Sequence, residues 1–246
     1  MNRLSYWASR SRREARDVVL RARRTDPKTV REDVAVSYLR GDGIEIGALD
    51  YPLRIPRGAR VRYVDYLDGL DLADAHSDTL AAGRPLVMPD VVDDGARLAA
   101  FSDRSLDFVV ANHMLEHVED PISALGHQLR VLKPGGILYL ALPRASECFD
   151  DPRPRTTVEH LLRDHEHGPQ VSRREHYYEC ARHIEGHTAE TIESRVSAME
   201  SEGLRPHFHV WEPHTFAAFL AALEFPISLE LLRASVGEFL VILRKC

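Results

Sequence analysis

The stretch from Leu106 to Arg144, LDFVVANHMLEHVEDPISALGHQLRVLKPGGILYLALPR, restricts the fold more than any other part of the chain. Asp107 to Ala111 is short, apolar and partly β-branched, and Ile137 to Leu142 is alike; such runs make strands buried on both faces. Between them Met114, Leu115, Val118, Ile122, Leu125, Leu129 and Leu132 recur at steps of three and four, as on one face of a helix. Asp120-Pro121 restarts that helix, because proline suits a first helical turn, and Lys133-Pro134-Gly135-Gly136 stops it. Strand, crossover helix and strand make a parallel βαβ unit. In open parallel sheets, ligands bind beyond the carboxyl ends of the strands, which here are Asn112-His113 and Pro143-Arg144.

The flanking segments extend this unit into a larger α/β sheet. A helix is expected from Pro27 to about Leu39, then a first strand and its turn at Gly43 to Ala48 and a second strand at Val61 to Tyr66. Leu86-Val87 starts a weak third strand, and Ala96 to Ala100 reads as a short helix. After a polar segment from Ala145 to Pro206, Pro213 opens a helix that ends near Leu223. Ser228 to Ser235 and Glu238 to Arg244 follow as strands separated by Val236-Gly237, a hairpin signal. A parallel sheet that finishes in an antiparallel hairpin is not the usual dehydrogenase arrangement.

With 246 residues and 44% hydrophobic content, the chain can bury one full core, so one domain with appendages is expected. The division is a basic helical cap over 1–40 and an α/β domain over 41–246 that carries a helical insertion at about 145–210. No apolar run reaches the ~18 residues a membrane span needs. Cys148, Cys180 and Cys246 are scattered and form no disulfide or zinc pattern, which makes a reducing cytoplasm the expected location. The net charge of −6 hides a basic arm: residues 1–31 hold ten Lys/Arg and three Asp/Glu. Residues 2–24 read as a helix with a thin apolar stripe of Leu4, Trp7, Ala15, Val18, Val19 and Ala22. No nucleic-acid motif accompanies the charge, so docking on the acidic body or on a second copy is favoured over nucleic acid or a lipid surface.

Four elements in this order and spacing, IEIGA, VDY, LDFVVANHMLEHVEDP and RVLKPGGILYLALP, resemble the class I S-adenosylmethionine-dependent methyltransferases, in particular their methyltransferase-11-like branch. The resemblance covers residues 42–144 and the terminal hairpin. It implies a Rossmann-like, seven-stranded, mostly parallel sheet with an antiparallel C-terminal hairpin, and S-adenosylmethionine as cofactor. By that resemblance Glu45 contacts the methionine end of the cofactor, directly or through water, with Gly47 and Ala48 beside it. Leu49 and Tyr51 stand where the family has further glycines. Asp65, with Tyr66 next to it, lies about 20 residues after Glu45, the spacing at which an acid meets ribose hydroxyls. Asp94, or Asp93 in its place, and Gly95 correspond to the adenine end, and Asn112 and His113 line the cofactor or the substrate.

His113 and His117 are four residues apart, which would place them on one helix face, but a metal site needs a third ligand in register. No histidine set offers that spacing, so no metal is expected and turnover should survive chelation. The segment 145–214 holds nine of the 13 histidines. It suits a substrate lid, a divalent-metal site or a dimerisation arm, and the three stay open. The expected reaction is methyl transfer to a hydroxyl of a small molecule, a sugar or polyol first. A histidine, His113, His207 or His209, would take the proton, and Arg153 and Arg155 would orient the acceptor. Two rivals remain. A nicotinamide-dependent dehydrogenase lacks its Gly-x-Gly-x-x-Gly turn here. A catalytically silent binding or scaffold protein would keep the fold alone.

Overall fold

The computed structural model describes residues 26–246; the expected helix over 2–24 and most of the basic arm lie outside the described residues. Helix α1 (Pro27–Tyr38) starts as its sequence predicts, with Asp26 accepting from the Thr29 amide and proline in the first turn. It is followed by β1 (Gly41–Ile46), β2 (Ala59–Asp65), α2 (Gly69–Ala75), α3 (Ser77–Ala81), β3 (Val91–Val92) and β4 (Leu106–Asn112). The chain continues through α4 (Pro121–Val131), β5 (Leu132–Pro143), α5 (Val158–His167), α6 (Arg173–His183), α7 (Ile192–Glu202), α8 (Pro213–Ala221), β6 (Ile227–Ala234) and β7 (Glu238–Lys245).

The seven strands lie in the order β3-β2-β1-β4-β5-β7-β6. Pairing from β3 through β5 is parallel, whereas β7 inserts antiparallel between β5 and β6. This is the Rossmann-like sheet with a terminal hairpin that the motif order implies. Alternation along the central strands divides the core between two faces. Phe108, Val110, Ile137, Tyr139, Ala141, Leu240 and Ile242 face α1 through Val30, Val34 and Ala35. Val109, Ala111, Leu138, Leu140, Leu142, Val241 and Leu243 face the other way, onto Ile122, Leu125 and Leu129 of α4 and Phe216 and Phe219 of α8. The Tyr139 hydroxyl donates to the Arg31 carbonyl and pins α1 to its face.

Three local expectations are corrected, and two helices are added. The third strand is at Val91-Val92, where Val64 and Asp65 offer partners; Val87 makes only an isolated bond to the Leu49 carbonyl. Residues 96–100 turn without forming a helix, because Leu98 is held at φ +50 with its side chain buried. Helices α2 and α3 were not expected: between them they bury only Leu72, so no apolar stripe announces them. The helix after β4 is one 3₁₀ turn, Leu115–His117, before Asp120 caps α4 and Pro121 opens it.

The insertion leaves β5 and returns along itself. Ala145 N–H donates to the Trp211 carbonyl and Thr156 N–H to the Val210 carbonyl, while Arg144 N–H bonds Gly237 of the hairpin loop. Leu161 of α5 and Trp211 belong to the main core. Helices α6 and α7 share a smaller cluster of Tyr177, Ala181, Val196, Met199 and Phe208. Among the described residues no helix is long and apolar enough to cross a membrane.

Candidate active site at the strand ends

The carboxyl ends of β1, β2 and β4 place Glu45-Ile46-Gly47, Asp65-Tyr66 and Asn112-His113 along one edge of the sheet. Gly47 stands at φ +63, and a Cβ there would meet nothing within 4 Å, so the turn after β1 borders open space. Leu49, in a position where glycine was expected, adopts φ +48. The loop closes through Tyr51 N–H to the Ala48 carbonyl.

Glu45 is buried, and both of its oxygens accept from the Leu53 amide at 3.0 Å. One of them also accepts from Asn112 Nδ2 at 3.3 Å. Burial pushes the Glu45 carboxyl up to about 7. In this structure the acid holds the loop and Asn112. The Asn112 Oδ1 it orients is buried without a partner. An orphaned acceptor at a strand end fits an ammonium or amine donor on a ligand.

Asp65 closes β2 with its side chain largely buried and Oδ1 accepting from the Leu67 amide at 3.2 Å. Desolvation raises its pKa. Tyr66 is exposed and carries the Arg205 guanidinium 5.1 Å above its ring, which ties the returning insertion to this edge. The adenine-end pair is less free than its sequence suggests. Asp94 Oδ1 caps the Ala96 amide at 2.9 Å, and a Cβ on Gly95 would lie 2.2 Å from Ile46 Cγ2. Gly95 is thus required by packing against β1.

His113 stands at φ +49, a costly conformation for a residue with a side chain. Its amide bonds the Ala141 carbonyl at 2.8 Å, and its Nε2 lies 2.8 Å from Glu238, with Nδ1 3.5 Å from Glu116. His117 turns elsewhere: Nδ1 bonds the Arg205 carbonyl at 2.9 Å, and its ring meets that of His207 at 4.6 Å. The shared helix face expected for this pair is absent because the segment is not α-helical.

His207 Nδ1 lies 2.6 Å from Asp150. Against the desolvation of its buried site, hydrogen bonding to His207 and the Arg153 charge hold Asp150 below the usual carboxylate range. An ionised carboxylate only accepts, so His207 Nδ1 carries the hydrogen, and in the neutral ring the lone pair is on Nε2. Glu238 and Glu116 were not foreseen. Glu238 is a buried acid that opens the apolar strand FLVIL, and this break in pattern is the signal that could have exposed it. Desolvation opposes its charge, but Arg31 and His113 hold it ionised below its ordinary pKa. Glu116 is fully buried with both oxygens unpaired, and desolvation lifts it to about 8.

Three further sequence candidates are engaged with other parts of the chain. His209 is buried, its Nε2 bonds the Glu119 carbonyl at 3.1 Å, and desolvation drives it down to about 3. Arg153 is enclosed by Asp150, Glu179 and the His207 carbonyl. Arg155 donates to Asp151, Glu212 and the Arg153 carbonyl. Both guanidiniums are engaged in fastening the base of the insertion.

The sheet order, with an antiparallel strand between the fifth and the edge, separates this fold from the all-parallel dinucleotide-binding order. The chain matches the family model of a methyltransferase domain over residues 34–223, and it belongs to that family. S-adenosylmethionine is the cofactor the family implies. The open turn at Gly47, the acid ending β2 and the orphaned Asn112 oxygen fit that group. A solved S-adenosylmethionine-dependent methyltransferase from Aquifex aeolicus is similar in fold at 14% identity, with a TM-score of 0.50 over 92% of this chain and 93% of that one. A Rhodobacter sphaeroides structure provisionally described as a zinc-dependent alcohol dehydrogenase has a TM-score of 0.51 at 15% identity, over 90% and 92%. At such identities the likeness is one of fold. No curated protein matches the chain by sequence.

Proposed function

We propose that this methyltransferase acts on a hydroxyl of a small, oxygen-rich acceptor, a sugar or polyol first, with His207 as general base. Bound S-adenosylmethionine supplies a methyl group on a sulfonium, open to in-line attack. Gly47, Asp65 and Asn112 would hold the cofactor, while Glu45 keeps the β1 loop and Asn112 in place. The observation that carries the proposal is the Asp150–His207 pair, 2.6 Å apart, which leaves Nε2 as a proton acceptor beside His117. An amine needs little beyond positioning, whereas a hydroxyl gains from a base that takes its proton as the bond to carbon forms. Asp150 fixes the tautomer and stabilises the imidazolium, the role of the acid in other His–carboxylate pairs. His113, held at Nε2 by the Glu238 carboxylate, positions the wall of the site. The segment 145–210 acts as the lid over the acceptor, with Arg205 on Tyr66 and the Glu116 carbonyl accepting from Phe208 N–H as its seams.

His207→Ala should lower the turnover rate ~10²- to 10⁴-fold while affinity for S-adenosylhomocysteine, read by calorimetry, stays as in wild type. Equal rates for the two proteins would transfer the base role to His113 or to none. Cofactor binding with no methylated product across sugars, polyols and amines would favour the silent-scaffold reading.

A further inference from the structure

The insertion brings together four metal-ligating side chains that no sequence motif connects. His160 and Asp164 lie one turn apart on α5, His176 lies on α6, and His209 lies on the strand-like return before α8. Ring nitrogens of the three histidines all fall within 4.8 Å of one another. His160 Nε2 is 3.1 Å from His176 Nε2 and 3.1 Å from Asp164 Oδ2, and His176 Nε2 is 3.8 Å from that oxygen. Ligand atoms around a tetrahedral zinc ion are ~3.3 Å apart when each bond is ~2.0 Å.

We propose that His160, His176, His209 and Asp164 bind one zinc ion that clamps α5, α6 and the return strand together. The surroundings are those of a ligand set. His209 Nε2 donates to the Glu119 carbonyl, which fixes the tautomer and leaves Nδ1 as the available lone pair. That Nδ1 is buried and has no partner. Ser172 Oγ donates to Asp164 Oδ2 and orients the carboxylate. Three imidazoles and one carboxylate are a donor set for zinc or a similar divalent transition ion, and no thiol is close enough to join it. A cavity of about 380 Å³, lined by Thr157, His160, Arg163, His176 and Glu179 among others, opens onto two of the ligands and gives an ion its way in. One contact must change. Arg163 Nη2 sits 3.0 Å from His160 Nδ1, which has to carry a proton when Nε2 binds metal. Arg163 is half-exposed and already lies 3.8 Å from Glu175, so it has somewhere to go. Such an ion runs against the expectation of a metal-free chain, and its binding is independent of the acceptor and of the base.

The test uses the full chain, stripped with a chelator and dialysed against zinc. It should take up one equivalent and melt at a higher temperature that saturates at that ratio. Cobalt in its place should show the visible absorption of a tetrahedral site. His176→Ala and His209→Ala should each weaken zinc binding ~10²-fold or more, whereas His117→Ala should not. The absence of stoichiometric uptake by wild type overturns the proposal. So does uptake lost in His117→Ala but kept in His176→Ala, which would place the ion at Glu116, His117 and His207. If the cluster variants do not fold, X-ray absorption at the zinc edge of wild type decides, three imidazoles supporting the site and two rejecting it.

Discussion

Asp65 and Gly95 occupy neighbouring strand ends and answer to different physics. Asp65 is an acid kept at the edge of the sheet despite a desolvation that raises its pKa, which makes sense if ligand hydroxyls compensate. Asp65→Ala should weaken S-adenosylhomocysteine by about 1 to 3 kcal/mol; calorimetry showing equal affinity would remove the ribose assignment. Gly95 is fixed by the 2.2 Å approach of Ile46 Cγ2. Gly95→Ala should destabilise by about 1 to 3 kcal/mol through overpacking. In combination with Ile46→Ala, which removes the clashing methyl, the loss in denaturant melts should be smaller than the sum of the two single losses.

At the scale of elements, the sheet and the insertion differ in what they bury. Strands β4, β5 and β7 are covered on both faces and share two clusters that run the length of the domain. Helix α5 joins that core through Leu161, but α6 and α7 hold only five buried residues of their own. Small clusters open at lower free energy than a central sheet. Amide hydrogen exchange of α6 and α7 should therefore be faster than that of β4 and β5, with α5 between them. If zinc occupies the four-ligand site, adding it should slow α6 more than α7, because α6 carries His176 and α7 carries no ligand.

For the whole molecule, the buried acids under the site set a pH response. Glu116, lifted to about 8, and Glu45, lifted to about 7, are both neutral in the fold at pH values where an unfolded chain ionises them. The folded pKa values are raised, so the stability these groups carry is complete below their ordinary 4.5 and is lost as pH climbs through 7 and 8. Above about pH 6.5 ordinary carboxyls have finished titrating, and the melting temperature should fall from there to pH 8. Glu116→Gln, neutral at every pH, should show a flatter decline. An identical slope in both proteins would mean that Glu116 is ionised in the fold.

All strands but the third, the restart at Asp120-Pro121 and the terminal hairpin were legible in the sequence because each is written in local periodicity and turn chemistry. So were the fold class and the strand-end addresses of Asp65 and Asn112, since the order of the elements dictates which carboxyl ends meet. The roles of the histidines were not legible. His207 is bonded to Asp150, His113 is held by Glu238, and His209 meets His160 and His176, all partners from distant parts of the chain. A side chain's protonation and access depend on what is packed against it, and for these residues only the tertiary fold supplies the neighbours. Arg153 and Arg155 show the same limit: their charge was visible in the sequence, but the carboxylates that engage them were brought there by folding.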